Sequence, residues 1–215
     1  MKKEYLSIAL PKGRILQDAV ELFSKAGIDI RNILEDPRRL VLEVPEENIR
    51  FMLIRAQDVP VYVEYGAVDM GIAGKDVLYE QGRDVYEPLD LGIGRCRMVV
   101  AEPEELSRQD NPSGWTHLRI ATKYPNITTR YFLERGIEVE IIKLYGSIEL
   151  APLFGLSERI VDLVQTGETL RKNRLVEVET IMDVTAKLIC NRASLKMRPS
   201  AVRGIIERLK EVVEG

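Results

Sequence analysis

The segment from Arg159 to Leu170, Arg-Ile-Val-Asp-Leu-Val-Gln-Thr-Gly-Glu-Thr-Leu, holds the residues of this chain best suited to chemistry. An apolar run reaches Asp162, and a turn centred on Gly167 follows, flanked by the hydroxyls of Thr166 and Thr169. Such a turn can aim successive backbone N–H groups and hydroxyls at a phosphate, and a helix starting behind it turns its positive end the same way. An aspartate at a strand end can accept hydrogen bonds from two sugar hydroxyls, so the pair of features suits a ribose 5-phosphate. The segment has neither the Gly-Lys-Ser/Thr of a P-loop nor the GxGxxG of a dinucleotide site. The plainer alternative is a strand, turn and helix in which Asp162 is only a helix cap.

An anionic ligand needs cations, and the chain has no general excess of them. Its 215 residues include 31 Lys and Arg against 34 Asp and Glu, a formal charge of -3, which argues against a nucleic-acid binder and makes any anion site a local basic cluster. With one histidine, His117, a multi-histidine metal site or proton relay cannot be assembled within the chain. Cys96 and Cys190 have no CxxC partner, which fits a reducing cytoplasm better than a disulfide framework. The short apolar stretch Tyr5 to Leu10 is no signal-peptide core, and no apolar run approaches the roughly 20 residues that span a bilayer, so no membrane association is expected.

The elements that must position these residues are legible as alternating strands and helices. Tyr5 to Leu10 reads as a strand. Pro11 and Gly13 break it, and Ile15, Leu16, Ala19, Val20, Phe23 and Ala26 form one helical face ending at Gly27. Arg39 to Val44 and Phe51 to Arg55 are strand-like, Val59 to Tyr65 is a short helix, and Val68 to Ala73 a buried strand with a helix from Lys75. Asp90 to Ala101 reads as one extended passage and Glu102 to Gly114 as a loop. Arg119 to Thr122 and Val139 to Lys143 are strands around a helix from Ile127 to Arg135, and Pro199 opens a last amphipathic helix. The order predicts an α/β fold with parallel strands in two lobes, ligands binding at strand ends and in the cleft between lobes. The expected division is 1–89 with 180–215 for one lobe and 90–179 for the other, which carries the 162–170 loop.

Glu149, Ala151, Gly155, Ser157, Ile160, Asp162, Leu163, Thr166, Gly167, Thr169 and Leu170 together resemble the signature of the ATP phosphoribosyltransferases. Matching segments run along nearly the whole chain: Leu10-Pro-Lys12-Gly13-Arg14, Glu35-Asp36 with Arg38-Arg39-Leu40, Arg55 to Asp58 with Pro60, Val63-Glu64-Gly66-Asp69-Gly71-Ile72-Gly74-Lys75-Asp76, Cys96-Arg97 and Ala121-Thr-Lys123-Tyr124-Pro-Asn126. The resemblance implies two α/β lobes like those of type II periplasmic binding proteins. It also implies a Mg²⁺-dependent glycosyltransferase joining N1 of ATP to C1′ of phosphoribosyl pyrophosphate, with inversion, at the first step of histidine biosynthesis. The chain closes on the Pro199 helix without a histidine-sensing domain, as in the family's short form. That form implies a separate regulatory subunit related to histidyl-tRNA synthetases and a homodimer within a hetero-oligomer.

The resemblance implies that Asp162 takes the ribose hydroxyls and that Leu163, Val164, Gln165, Thr166, Gly167, Glu168 and Thr169 surround the 5-phosphate. Glu149 goes to the ribose or its magnesium, with no other protein metal ligand and Mg²⁺ carried on substrate phosphates. Arg14 and Arg38 are the candidate catalytic cations for the triphosphate and departing pyrophosphate, since arginine keeps its charge and grips phosphate oxygens bidentately. Lys12, Asp69, Lys75 and Tyr124 are assigned to ATP, Tyr124 by stacking on adenine. Each has a plainer alternative: a solvated first-turn cation for Arg14, Arg39 in place of Arg38, a surface Lys75 beside a capping Asp76, a turn residue with a buried ring for Tyr124. The competing functions are a non-catalytic two-lobed binding module, which has no need of the 162–170 cradle, and a salvage phosphoribosyltransferase. The latter often has two adjacent acids before its turn, where Val161 stands here.

Overall fold

A computed structural model describes residues 5–35, 38–108 and 118–215. The chain divides into two compact units, one comprising the chain up to Gly94 together with Thr185–Gly215, the other Arg95–Val184. The breaks fall at Gly94 and Val184 where 89 and 179 were expected: residues 180–184 pair with the strand from Cys96 in the second unit, while 90–94 are held to the first. Leu91 N–H donates to Ala186 O and Ala186 N–H to Ile93 O, tying that turn to the first unit.

The first unit is built on β1 (Leu6–Lys12), β2 (Val41–Val44), β3 (Ile49–Arg55), β4 (Met70–Gly74), β5 (Tyr86–Asp90) and β11 (Ala186–Cys190). They form one sheet in the order β2-β3-β1-β4-β11-β5. Ile8, Ala9 and Leu10 of β1 are fully buried, as a continuous apolar run in a central strand requires. One face is covered by α1 (Arg14–Lys25) and α9 (Pro199–Glu214), whose Phe23, Val202 and Leu209 join the core with Phe51. The other face carries α2 (Val59–Glu64) and α3 (Lys75–Gln81). Gly71 permits this packing, since a Cβ there would stand 2.7 Å from Val59 Cγ1.

The second unit holds β6 (Cys96–Pro103), β7 (Leu118–Thr122), β8 (Val139–Lys143), β9 (Arg159–Val164) and β10 (Leu175–Val184), ordered β10-β6-β9-β7-β8. Its helices are α4 (Glu104–Ser107), α5 (Pro125–Leu133), α6 (Leu150–Leu153) and α7 (Glu168–Lys172), while α8 (Arg192–Met197) belongs to the first unit.

Three expectations are corrected. The sheets are mixed: β2 runs antiparallel to β3, β11 to β4 and β5, and β6 to β9 and β10. β2 and β3 form a hairpin, and β11 enters between β4 and β5 in the opposite direction. The passage from Asp90 to Ala101 is broken by Gly92 and Gly94 at φ 65 and 63. Glu102, expected in a loop, lies in β6 and is 1% exposed, its carboxylate accepting from Arg159 Nε at 2.7 Å. Of the remainder of that expected loop, Pro103 closes β6, Glu104–Ser107 form α4, and 109 to 114 lie outside the described residues, as does His117. Among the described residues no helix is long and apolar enough to cross a membrane.

Candidate active site

In the second unit, Asp162 lies within β9 and not at a helix start, so it is no N-cap. Its Oδ1 accepts from Leu163 N–H at 2.8 Å. Burial pushes its carboxyl above the ordinary aspartate value, against the Leu163 N–H; the nearby Glu149 charge also raises it and the Lys123 ammonium lowers it. Glu149 and Asp162 therefore feel one another although 149 precedes α6 and 162 belongs to β9. After the strand, Gln165 and Thr166 are exposed, and Gly167 turns the chain at φ 73 into α7, as the glycine-centred turn predicted. Glu168 N–H donates to Thr166 Oγ1 at 3.4 Å, and buried Leu170 anchors the helix. Val164 is buried, so it offers a ligand only its backbone. A Cβ on Gly167 would come within 3.2 Å of Glu177 Oε1, and Glu177 is gripped by Arg97 through bonds of 2.9 and 2.6 Å. A charged pair thus props the turn from behind, and a side chain at 167 would meet both a strained φ and that pair.

In the first unit, parallel pairing brings the ends of β1, β3 and β4 to one edge of the sheet. Lys12 is in register with Arg55, and both are exposed. Gly13 takes φ 104 and ψ -148, a conformation that all but demands glycine, and α1 then begins with exposed Arg14. The β2–β3 register pairs Val41 with Met52, and Leu53 N–H bonds Leu40 O, so the chain enters β2 from exposed Arg38, in the turn just before, at the end of the sheet where β3 finishes at Arg55. Lys75 opens α3 at the end of β4, with its ammonium 5.4 Å from the Tyr79 ring centre. Lys12, Arg14, Arg38, Arg55 and Lys75 therefore share one end of the sheet in a chain of net negative charge. A cavity of about 540 Å³ lies at the opposite end, lined by residues including Leu6, Ile49, Arg198 and Arg208, away from these cations.

A family model described as "HisG: ATP phosphoribosyltransferase" matches residues 55–211. An ATP phosphoribosyltransferase of Syntrophotalea carbinolica is 61% identical over 210 residues, 98% of this chain and 96% of that protein. The chain belongs to the ATP phosphoribosyltransferase family. A Bacillus licheniformis member of this family is 52% identical over 216 residues, covering 100% of this chain and 98% of its own. Among solved structures, the ATP phosphoribosyl transferase (HisG:HisZ) complex from Thermotoga maritima matches with a TM-score of 0.82 and 34% identity, over 97% of this chain and 98% of that one. The mixed two-sheet α/β fold is thus the family's, with its likeness to periplasmic binding proteins.

For an ATP phosphoribosyltransferase, two of the expected ATP residues are poorly placed. Asp69 precedes β4, at the end of the sheet away from Lys12 and Lys75. Its carboxylate accepts from Ser7 N–H at 2.9 Å, Ser7 Oγ at 2.8 Å, Ser194 Oγ at 2.7 Å and Arg198 Nη1 at 3.4 Å. It ties β1, β4 and α8 together and has little left for a ligand. The Tyr124 side chain is packed in the second unit's core with Met98, Ile120 and Phe132, and at 5% exposure its ring offers no stacking face. Sequence reasoning did not single out Lys123, Arg55 or the Arg97–Glu177 pair as site residues. Lys123 and Arg55 had one usable signal, a cation at or just past a strand's C-terminal end.

Enzymes of this family need a divalent metal. Among the described residues no three His, Cys, Asp or Glu side chains gather into a metal site. Glu149, close enough to raise the neighbouring Asp162, is a carboxylate suited to sharing an ion that arrives on a substrate's phosphates.

Proposed function

We propose that this chain catalyses Mg²⁺-dependent transfer of the 5-phosphoribosyl group from phosphoribosyl pyrophosphate to N1 of ATP, giving phosphoribosyl-ATP and pyrophosphate at the first step of histidine biosynthesis. One observation carries the reading: a half-buried aspartate two residues before the end of β9 is followed by a turn about Gly167 whose Gln165, Thr166, Glu168 and Thr169 are exposed, of the kind that accepts a ribose 5-phosphate.

In this reading Asp162 takes the ribose hydroxyls, and the backbone from Leu163 to Glu168, with the Thr166 and Thr169 hydroxyls, surrounds the 5-phosphate. Arg14 and Arg38 meet the triphosphate and the departing pyrophosphate, with Lys12 and Lys75 at the same sheet end. As the C1′–oxygen bond breaks, positive charge grows on the ribose and negative charge on pyrophosphate, so fixed cations lower the barrier electrostatically. Magnesium carried on the pyrophosphate would neutralise part of that leaving-group charge, with Glu149 the residue that would share it. Adenine N1 attacks as a neutral nucleophile, so orientation matters more than a general base, in keeping with a site that does not rely on histidine.

The Thermotoga HisG:HisZ complex supports a second element of the reading, a separate regulatory subunit for this chain; in the same reading this subunit is related to histidyl-tRNA synthetases and joins a homodimer of this chain in the cytoplasm. The test is to mix the chain with ATP, phosphoribosyl pyrophosphate and Mg²⁺, with and without that subunit, and follow near-ultraviolet absorbance. Growth of the N1 adduct is expected; no adduct even with the subunit present contradicts the assignment.

A further inference from the structure

Lys123 follows β7 directly, and the register of β7 with β9 says where it stands. Ile120, Ala121 and Thr122 pair with Arg159, Ile160 and Val161, so the next position places Lys123 level with Asp162. Side chains alternate along a strand with a period of two, so Asp162, inside β9, belongs to the sheet face of Ile160, while Lys123 is the first residue past β7, where the chain turns beside it. Ala121 and Ile160 share a core cluster with Ile148, Ala151 and Leu170, which flank Glu149 and close the cradle. Asp162, Glu149 and the turn at Gly167 thereby gather about one face of the sheet, and Lys123 leaves β7 next to them, its ammonium among the charges acting on Asp162.

The backbone around Lys123 is held firmly. Thr122 Oγ1 donates to Val161 O at 2.8 Å and accepts from Tyr124 N–H at 2.9 Å, while Thr128 Oγ1 donates to Tyr124 O at 2.7 Å. Thr122 and Thr128 are fully buried, so these bonds are shielded from competing water. Tyr124, with its ring in the core, acts as the other anchor of the turn. Two buried hydroxyls and a buried aromatic ring therefore fix the path of the half-buried lysine between them.

We propose that Lys123 is a positioning residue of the phosphoribosyl pyrophosphate site: standing level with Asp162, its ammonium holds that carboxylate toward the ribose hydroxyls against the repulsion of Glu149 and of the incoming phosphates. The inference rests on the reading of the Asp162 turn as that site. Asp162 has a neighbouring acid in Glu149 and meets a substrate carrying several negative charges, and the Lys123 ammonium, next to it past the end of β7, offsets that charge. Lys172 of α7 is instead paired with Glu168 at 2.7 Å.

The test uses the chain with its regulatory subunit and compares Lys123→Met, Lys123→Gln and Lys123→Arg by steady-state kinetics for each substrate. The KM for phosphoribosyl pyrophosphate should rise about fivefold in Lys123→Met and Lys123→Gln, the scale of a half-exposed charge interaction, with the KM for ATP within about twofold of wild type. Lys123→Arg should restore most of the loss, which a packing defect would not allow. Should Lys123→Met fail to fold, Lys123→Gln against Lys123→Arg carries the same comparison. An unchanged KM for phosphoribosyl pyrophosphate, an equal rise for both substrates, or no rescue by arginine overturns the proposal. Wild type making no phosphoribosyl-ATP would instead overturn the reading beneath it, so the two failures are distinguishable.

Discussion

At one end of the first unit's sheet charge is consumed by the fold, and at the other it is displayed. The end where β1 and β4 begin is organised by Asp69, whose carboxylate receives Ser7, Ser194 and Arg198 and is 14% exposed. The end where they finish presents Lys12, Arg14, Arg38, Arg55 and Lys75, of which all but Lys75 are exposed. Asp69, Lys12 and Lys75 were all assigned to ATP from the sequence, yet the fold puts them at opposite ends. Residue type alone does not say at which end of a sheet the fold will place a residue, or how buried it will be there.

The contrast can be broken from either end. Arg14→Ala should lower the chemical rate by about 100-fold or more, as removal of a group aimed at developing charge does, while the melting temperature stays within about 2 °C. Single-turnover kinetics and thermal melting check the two halves together, and wild-type turnover with collapsed affinity would deny Arg14 its part in the chemistry. Asp69→Ala should do the reverse. Deleting a carboxylate that satisfies four donors costs about 2–3 kcal/mol of stability, seen as an earlier urea midpoint, with ATP affinity per folded molecule near wild type. A large loss of ATP affinity at unchanged stability would return Asp69 to the active site.

What the sequence disclosed and what it hid divide along the same physical line. The Asp162 turn was readable because everything it needs is local: an apolar run, an acid, a glycine at positive φ and two hydroxyls within a few positions. The first helix and the last were equally local, each a 3.6-period stripe that became a buried face. The surroundings of Asp69 were hidden because its partners Ser7 and Ser194 lie 62 and 125 positions away. Glu102 looked like loop because its partner Arg159 is 57 positions distant and only the folded sheet joins them. Tyr124 was assigned to adenine because nothing local tells which way a turn residue's ring points, and here buried Thr122 and Thr128 hold the turn that carries it. The antiparallel entry of β11 was hidden for the same reason, since its neighbours β4 and β5 are set by return of the chain from the second unit. Lys123 needed the register of β7 against β9 before it could be placed.

The assignment of the ribose 5-phosphate to the Asp162 turn is tested most directly by titrating Asp162→Ala with each substrate in turn by calorimetry. Affinity for phosphoribosyl pyrophosphate should fall about tenfold or more, since the ribose hydroxyls lose a charged acceptor, while affinity for ATP stays within about twofold. Equal losses for both substrates, or none for phosphoribosyl pyrophosphate, would contradict it.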